Sequence, residues 1–228
     1  MTKKIAILQS NYIPWKGYFD IIAKSDVFVI YDEVQYTKND WRNRNQLLTN
    51  NGKQWITIPV RQEHINQKIY ETKVSANNWQ KKHISTLIAN YSKAKYFKEY
   101  KDEIFEIYNF NSVYLSEINI FFIKSISNIL EIKTDIIDSR ELILNGDKNN
   151  KLIEACKKLK AEVYISGASA QNYLDVNAFL KENISIEWMD YTGYQEYSQV
   201  FKPFHHNVSI LDLIFNTGPD AKSFLKYI

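Results

Sequence analysis

Five short stretches of this chain carry side chains that could do chemistry. Gln9-Ser10-Asn11, Asp32-Glu33 and Ser166-Gly167-Ala168-Ser169 are polar clusters, each directly after an apolar run. Trp41-Arg42-Asn43-Arg44-Asn45 sets two guanidinium groups two residues apart, and His83 follows Trp79 by four. A guanidinium is a planar fork suited to phosphate or carboxylate. In an extended segment Arg42 and Arg44 point the same way, because side chains alternate with period two. Beside Asp32 they could grip a pyrophosphate or an acidic donor, or they could form an ion-pair network with Asp32, Glu33 and Asp40. Gly167 and the small residues after it, at a helix start, bare backbone N–H groups that favour anions, with Ser166 or Ser169 adding a hydroxyl. A plain N-cap uses the same residues. The His83 imidazole titrates near neutrality and suits a general base, although a histidine beside an apolar stripe also packs at a core's edge.

These residues need a scaffold, and the hydrophobic pattern supplies one. Ile5 to Leu8 and Val27 to Tyr31 are continuous apolar runs that read as buried strands. Trp15 to Lys24 between them is a helix, with Pro14 placed for its first turn. Strand, helix, strand implies parallel pairing. Ligands of such sheets sit beyond the carboxyl ends of the strands, where Gln9–Asn11, Asp32–Glu33 and Ser166–Ser169 converge if their strands are neighbours. The alternative is that polar residues end strands because loops are wet. Asn50-Asn51-Gly52 followed by Trp55 to Val60 predicts a hairpin, and with it a mixed sheet. Helical spacing at Ile84, Leu87, Ile88 and Tyr91 and at Ile118, Phe121, Phe122, Ser125 and Ile129 predicts a helical middle. Strands follow at Thr134–Ile137, Val163–Ile165 and Ile184–Trp188. Ser209 and Asp212 have capping-box spacing for a last helix that stops near Gly218-Pro219. The fold class is α/β: a mainly parallel, mixed sheet flanked by helices, one domain over residues 1–228 with a helical insertion at about 79–130.

Composition narrows the function. A net charge of +3, without a concentrated basic stripe, argues against nucleic acid as partner. The single cysteine, Cys156, excludes an intrachain disulfide and lies on the apolar face of a helix, as a buried structural thiol would. The apolar run after Lys3-Lys4 is too short for a signal peptide, and no stretch is long enough for a membrane span, so the cytoplasm is the expected compartment. No metal-binding spacing, Gly-x-Gly-x-x-Gly or Walker A motif is present, so no cofactor is specified. His205-His206 reads as structural or exposed, and His64 has no motif around it.

The run Leu8-Gln9-Ser10-Asn11-Tyr12-Ile13-Pro14-Trp15-Lys16-Gly17-Tyr18-Phe19 resembles the opening motif of the bacterial WbqC-like family. Asp26 to Val29, Asp32 to Tyr36, Trp41 to Asn45, Trp55 to Val60, Trp79 with His83, Tyr164 to Gly167 and Ser209 to Asp212 match in order and spacing, so the likeness covers nearly the whole chain. It implies work on nucleotide-activated, often amino-bearing sugars in O-antigen or capsule synthesis, with polysaccharide-biosynthesis enzymes as partners. Carried onto matching positions, it puts Gln9, Asn11, Trp15, Tyr18, Gln35, Arg42, Asn43, Arg44, Ser166 and Gly167 in the substrate-binding set. Some members read His-Gln-Pro where this chain has Leu8-Gln9-Ser10, so that histidine is not available here. Trp15-Lys16-Gly17-Tyr18 is also faintly similar to the His-x-Gly-His of HUP-type nucleotidyltransferases. Both histidines are absent, which leaves a related fold without that chemistry.

Two functions follow. One is a transferase acting on a nucleotide-activated sugar, as in N-acyl or aminoacyl transfer to a sugar amine, with His83 or Asp32 as base. The other is a non-catalytic binding protein for a nucleotide-sugar or glycolipid precursor, which needs no base.

Overall fold

The computed structural model describes residues 2–228. The chain opens with β1 (Lys4–Leu8), α1 (Lys16–Lys24) and β2 (Val27–Ile30). A hairpin follows, β3 (Arg44–Thr49) and β4 (Gly52–Thr57), and then a short pair, β5 (Val60–Arg61) and β6 (Lys73–Val74). Three helices come next: α2 (Trp79–Tyr91), α3 (Phe97–Ile107) and α4 (Leu115–Ile129). The α/β alternation resumes with β7 (Asp135–Asp138), α5 (Lys148–Lys158), β8 (Val163–Gly167), α6 (Val176–Lys181), β9 (Ser185–Met189) and α7 (Ile210–Thr217).

The main sheet runs β7-β2-β1-β8-β9, and every pairing in it is parallel. In chain order these are the third, second, first, fourth and fifth strands of the sheet, a doubly wound arrangement whose direction switches between β1 and β8. The expected hairpin is present, but it forms its own antiparallel sheet, in register from Arg44↔Thr57 to Thr49↔Gly52. The main sheet is therefore not mixed. Leu47 and Ile56 of the hairpin pack into the helical side of the core, so the hairpin thickens that face and does not extend a sheet edge.

Successive strand residues face opposite sides. Ala6, Phe28, Ile30 and Ile165 meet Phe19, Ile21 and Ile22 of α1, together with apolar residues of α2, α3, α4 and α7. Ile5, Ile7, Val27, Val29 and Tyr164 meet Leu152, Ile153 and Cys156 of α5 and Phe179 of α6. Burial on both faces is why the central strands read as unbroken apolar runs. Each such side chain contributes about 1.5–3 kcal/mol by leaving water.

α7 starts as expected, with Ser209 Oγ accepting the Leu211 N–H at 3.3 Å. Asp212 does not complete a capping box. It turns inward and accepts from Tyr91 (3.0 Å), Tyr197 (2.8 Å) and Gln199 (2.8 Å). Residues 190–209 form neither helix nor strand. They lie over α1, where Tyr194 donates to Asp20 and the Gln195 carbonyl accepts from Lys16 Nζ at 3.3 Å. Among the described residues no helix is long and apolar enough to cross a membrane.

Candidate functional site at the carboxyl edge of the sheet

Parallel pairing of β2, β1 and β8 brings Gln9, Asp32 and Ser166 to one edge of the sheet. Asp32, however, faces inward and is 1% exposed. Its Oδ1 accepts the Ser10 N–H at 2.8 Å and its Oδ2 accepts the Ser116 hydroxyl at 2.5 Å. Burial raises its pKa, against the opposing pull of Ser116, Ser10 and Arg42. With both oxygens engaged, Asp32 clamps the loop after β1 and does not present the free carboxylate that the base expected at this position needs. Asn119 joins the clamp, donating to Ser10 Oγ (3.1 Å) and to the Arg42 carbonyl (2.8 Å).

Arg42 and Arg44 diverge. Arg42 lies in the turn before β3, so the two-residue alternation does not apply to it. Its fork reaches Gln9 Oε1 (3.3 Å), the Ser10 carbonyl (3.4 Å) and Asn11 Oδ1, with Asp40 at 3.6 Å. Arg44 instead donates to Asn39 and lies 4.0 Å over the Trp55 ring. Asn43 is buried and donates to the Ile58 carbonyl at 2.8 Å. Gln35 is exposed and bonds the Ile65 carbonyl at 2.7 Å. The hydroxyl of buried Tyr18 donates to the Gln9 carbonyl at 2.9 Å. Of these, Arg42 and Tyr18 position the β1 loop, and Asn43 and Gln35 serve local backbone.

His83 is sealed in an aromatic cluster of Tyr12, Trp79 and Tyr108. Its Nε2 is 3.0 Å from the Thr57 carbonyl, which can only accept, so Nε2 carries the proton and Nδ1 accepts from Tyr12 Oη at 2.8 Å. Burial pushes its pKa down to about 4, against a smaller upward pull from the Thr57 bond. A neutral, buried ring with both nitrogens engaged is a core element and does not offer the free nitrogen that the expected general base needs.

A crevice of about 420 Å³ opens at the switch point, between the ends of β1 and β8. Gln9, Glu33, Ser166, Gly167 and Ser169 line it, as do Lys148, Lys151 and Tyr173. Gly167 has an ordinary backbone (φ −67°, ψ 149°), and a Cβ there would meet nothing nearer than the Tyr191 hydroxyl at 3.9 Å. Neither conformation nor protein packing demands glycine here. The crevice therefore meets its backbone and not a side chain. Lys148 and Lys151 lie outside the apolar Leu152–Cys156 stripe by which helical periodicity marks α5, so periodicity alone does not single them out. The signal was there: Gly146-Asp147 breaks the chain, and Asp147 caps α5 by accepting the Asn150 N–H at 2.8 Å. That places a helix N-terminus and two lysines at the edge where β7 ends. Glu33 Oε2 accepts from Ser139 Oγ at 2.7 Å, holding one carboxylate at the crevice wall.

Two other hollows have different linings. One, of about 490 Å³, is lined by Glu63, His64, Glu71, Lys73, Glu117 and Arg140 among others. Its guanidinium is already paired with Asp138. The other, of about 290 Å³, is lined by Asn11, Pro14, Trp15, Trp41, Asn45 and Asn207, so Trp15 and Asn11 face this hollow. Among the described residues no group of three or more His, Cys, Asp or Glu is gathered as a metal would require. Burial pushes the Cys156 thiol up to about 12, so it is no ready nucleophile.

Comparison with known proteins covers nearly the whole chain. The sequence model of the WbqC-like protein family matches residues 9–224. The uncharacterized protein Rv1507c of Mycobacterium tuberculosis is 44% identical over 227 residues, which span 99% of this chain and 98% of the relative. No solved structure matches the chain.

Proposed function

This chain belongs to the WbqC-like protein family, and from that premise we propose that it is a transferase acting on a nucleotide-activated sugar in O-antigen or capsule synthesis. On this reading it works in the cytoplasm alongside other polysaccharide-biosynthesis enzymes. The observation that carries the proposal is the switch-point crevice, where Lys148 and Lys151 at the start of α5 face Ser166 and Gly167. Crevices at this point of a doubly wound sheet take nucleotides, and a helix N-terminus with two ammonium groups suits their phosphates. The reversal of strand order between β1 and β8, beside the crevice, supports the same class of ligand.

Acyl or aminoacyl transfer to a sugar amine is the concrete form of the reaction. The amine attacks the acyl carbonyl, its proton passes to a base, and the donor's leaving group departs. Such a step needs a base and donors for the developing oxyanion. With His83 and Asp32 enclosed, Glu33 is the carboxylate placed for the proton. Enclosure of both earlier candidates also favours a second reading, a non-catalytic binding protein for the same ligand.

A thermal-shift screen of nucleotide-sugars tests the first claim. A ligand at 100-fold its dissociation constant stabilises by about 2.7 kcal/mol. Lys148→Ala or Lys151→Ala should weaken the hit roughly ten- to a hundredfold, the loss of one charged contact of about 1.5–3 kcal/mol. If neither does, the phosphate lies elsewhere. Glu33→Gln that keeps binding and abolishes turnover identifies an enzyme. A native chain that binds without turnover identifies the accessory protein.

A further inference from the structure

We propose that the hollow between Trp15 and Trp41 is a separate binding site for a neutral pyranose unit. Its wall holds two indoles and three carboxamides and no charged side chain. Indole faces take the C–H face of a sugar ring, as aromatics with a polar edge commonly do, and the Asn11 NH₂ and the exposed Asn207 carboxamide offer hydrogen bonds to hydroxyls. A phosphate would find no cation in the lining. The nearest one, Arg42, stands behind Asn11 and spends its fork on the β1 loop. A purely alkyl occupant would strip water from the Asn11 NH₂ and leave it unpaired, at a cost. At about 290 Å³ the hollow suits one ring better than an extended chain.

The lining is held in place from behind. Arg42 donates to Asn11 Oδ1, which fixes that amide with its NH₂ as the free donor. Asn45 closes the floor by bonding the Tyr12 and Ile13 carbonyls at 3.0 and 2.8 Å. Ile13 sits at φ +37°, a conformation a β-branched residue adopts only under constraint. Trp15 lies over α1 so closely that a Cβ on Gly17 would come within 2.3 Å of its ring. Gly17 therefore lets the indole approach α1, and the rings of Tyr191 and Tyr194 pack beside it in tilted and edge-on contacts, 5.4 and 5.9 Å between centroids. Lys16, between Trp15 and Gly17, turns away beneath residues 190–209, over the rings of Tyr194 and Tyr197, so its charge does not enter the hollow. Arg42 bonds both Asn11 here and Gln9 in the crevice, so one guanidinium separates the two hollows. Naming the pyranose as the acceptor in a transfer reaction rests on the function proposed above; the affinity of the hollow for a pyranose does not.

The test uses the full chain with ¹⁵N-labelled tryptophan, whose five indole signals report separately. Methyl glycosides of neutral hexoses and N-acetylhexosamines are the probes, and a nucleoside diphosphate is the control. The expected result is that a glycoside moves the Trp15 and Trp41 signals and leaves those of Trp79 and Trp188 in place. Trp41→Ala should weaken that binding about tenfold, and Asn207→Ala should weaken it less. Both variants should bind the nucleoside diphosphate as the parent does. If no glycoside moves either signal, or Trp41→Ala leaves glycoside affinity unchanged, the pyranose site is overturned. The nucleoside diphosphate arm, read on Lys148→Ala, judges the crevice independently.

Discussion

Alanine at position 167 distinguishes a glycine kept for the fold from one kept for a ligand. The backbone there suits alanine, and the nearest atom to its methyl is 3.9 Å away. Gly167→Ala should therefore raise unfolding stability by about 0.4–1 kcal/mol through the unfolded chain, while lowering affinity for whatever fills the crevice. Denaturant titration and ligand binding on one preparation decide it, and unchanged affinity would mean that no ligand approaches Gly167. His83 makes a different forecast. The unfolded histidine takes up a proton below about 6.5 and the folded one only below about 4. Its contribution is thus full above 6.5 and drains away as pH falls towards 4, by roughly 3 kcal/mol. In His83→Gln that slope should vanish. The stability difference between parent and variant, followed from pH 7 to pH 4, should shrink by that amount, and ligand affinity of the folded variant should stay as it was.

The loop after β1 stands between the two proposed hollows, and Arg42 is its fastening. Arg42→Lys keeps the charge and loses the fork that reaches Gln9, Ser10 and Asn11 together. The expected cost is about 1–3 kcal/mol, at roughly 2–4 °C of melting temperature per kcal/mol for a chain of this size. Arg44 has an exposed bond to Asn39 and a stacked Trp55. Arg44→Ala should cost only about 0.5–1 kcal/mol. Equal losses in the two variants would contradict the division of labour drawn here. α5 brings Lys148 and Lys151 of its first turn to the crevice and buries Leu152, Ile153 and Cys156 on its apolar face. Changes at Lys148 should therefore affect binding with little effect on melting.

Residues 190–209 have no helix or strand to hold them, so side-chain bonds to the helices must do it. Asp212 is the main anchor, receiving Tyr197 and Gln199 from that segment and Tyr91 from α2. Asp212→Ala would leave three buried donors unpaired, a loss of about 3 kcal/mol or more. Limited proteolysis should then cut first within 190–209, and unchanged protection would show that the segment is held by other contacts. Burial raises the pKa of both Asp212 and Asp32. For a carboxylate shifted up, the stabilising contribution is present below its unfolded value near 3.8 and is lost as pH rises through the folded value. These two acids therefore oppose the acid loss driven by His83, which is why the His83 effect must be read as a difference between parent and variant.

Local pattern was enough to find β1, α1, β2, β8 and β9, because strands buried on both faces must be apolar throughout, and their polar ends must then meet at one parallel edge. The family motifs were also legible, since they lie in contiguous runs such as Pro14-Trp15-Lys16-Gly17. What the pattern could not give was the direction of side chains in turns. Arg42 and Arg44 align only in an extended segment, and the turn before β3 separates them. His83 and Asp32 carry the residue types of a base, but whether such a group meets water or a buried hydroxyl depends on helices far along the chain: Ser116 of α4 reaches Asp32, and Tyr108 after α3 helps to enclose His83. Lys148 and Lys151 enter the crevice only because the connection from β7 to β8 passes β2 and β1. Residue type and local periodicity therefore determined the scaffold and its family. Burial and long-range packing, which sequence spacing does not encode, decided which polar residues face a ligand.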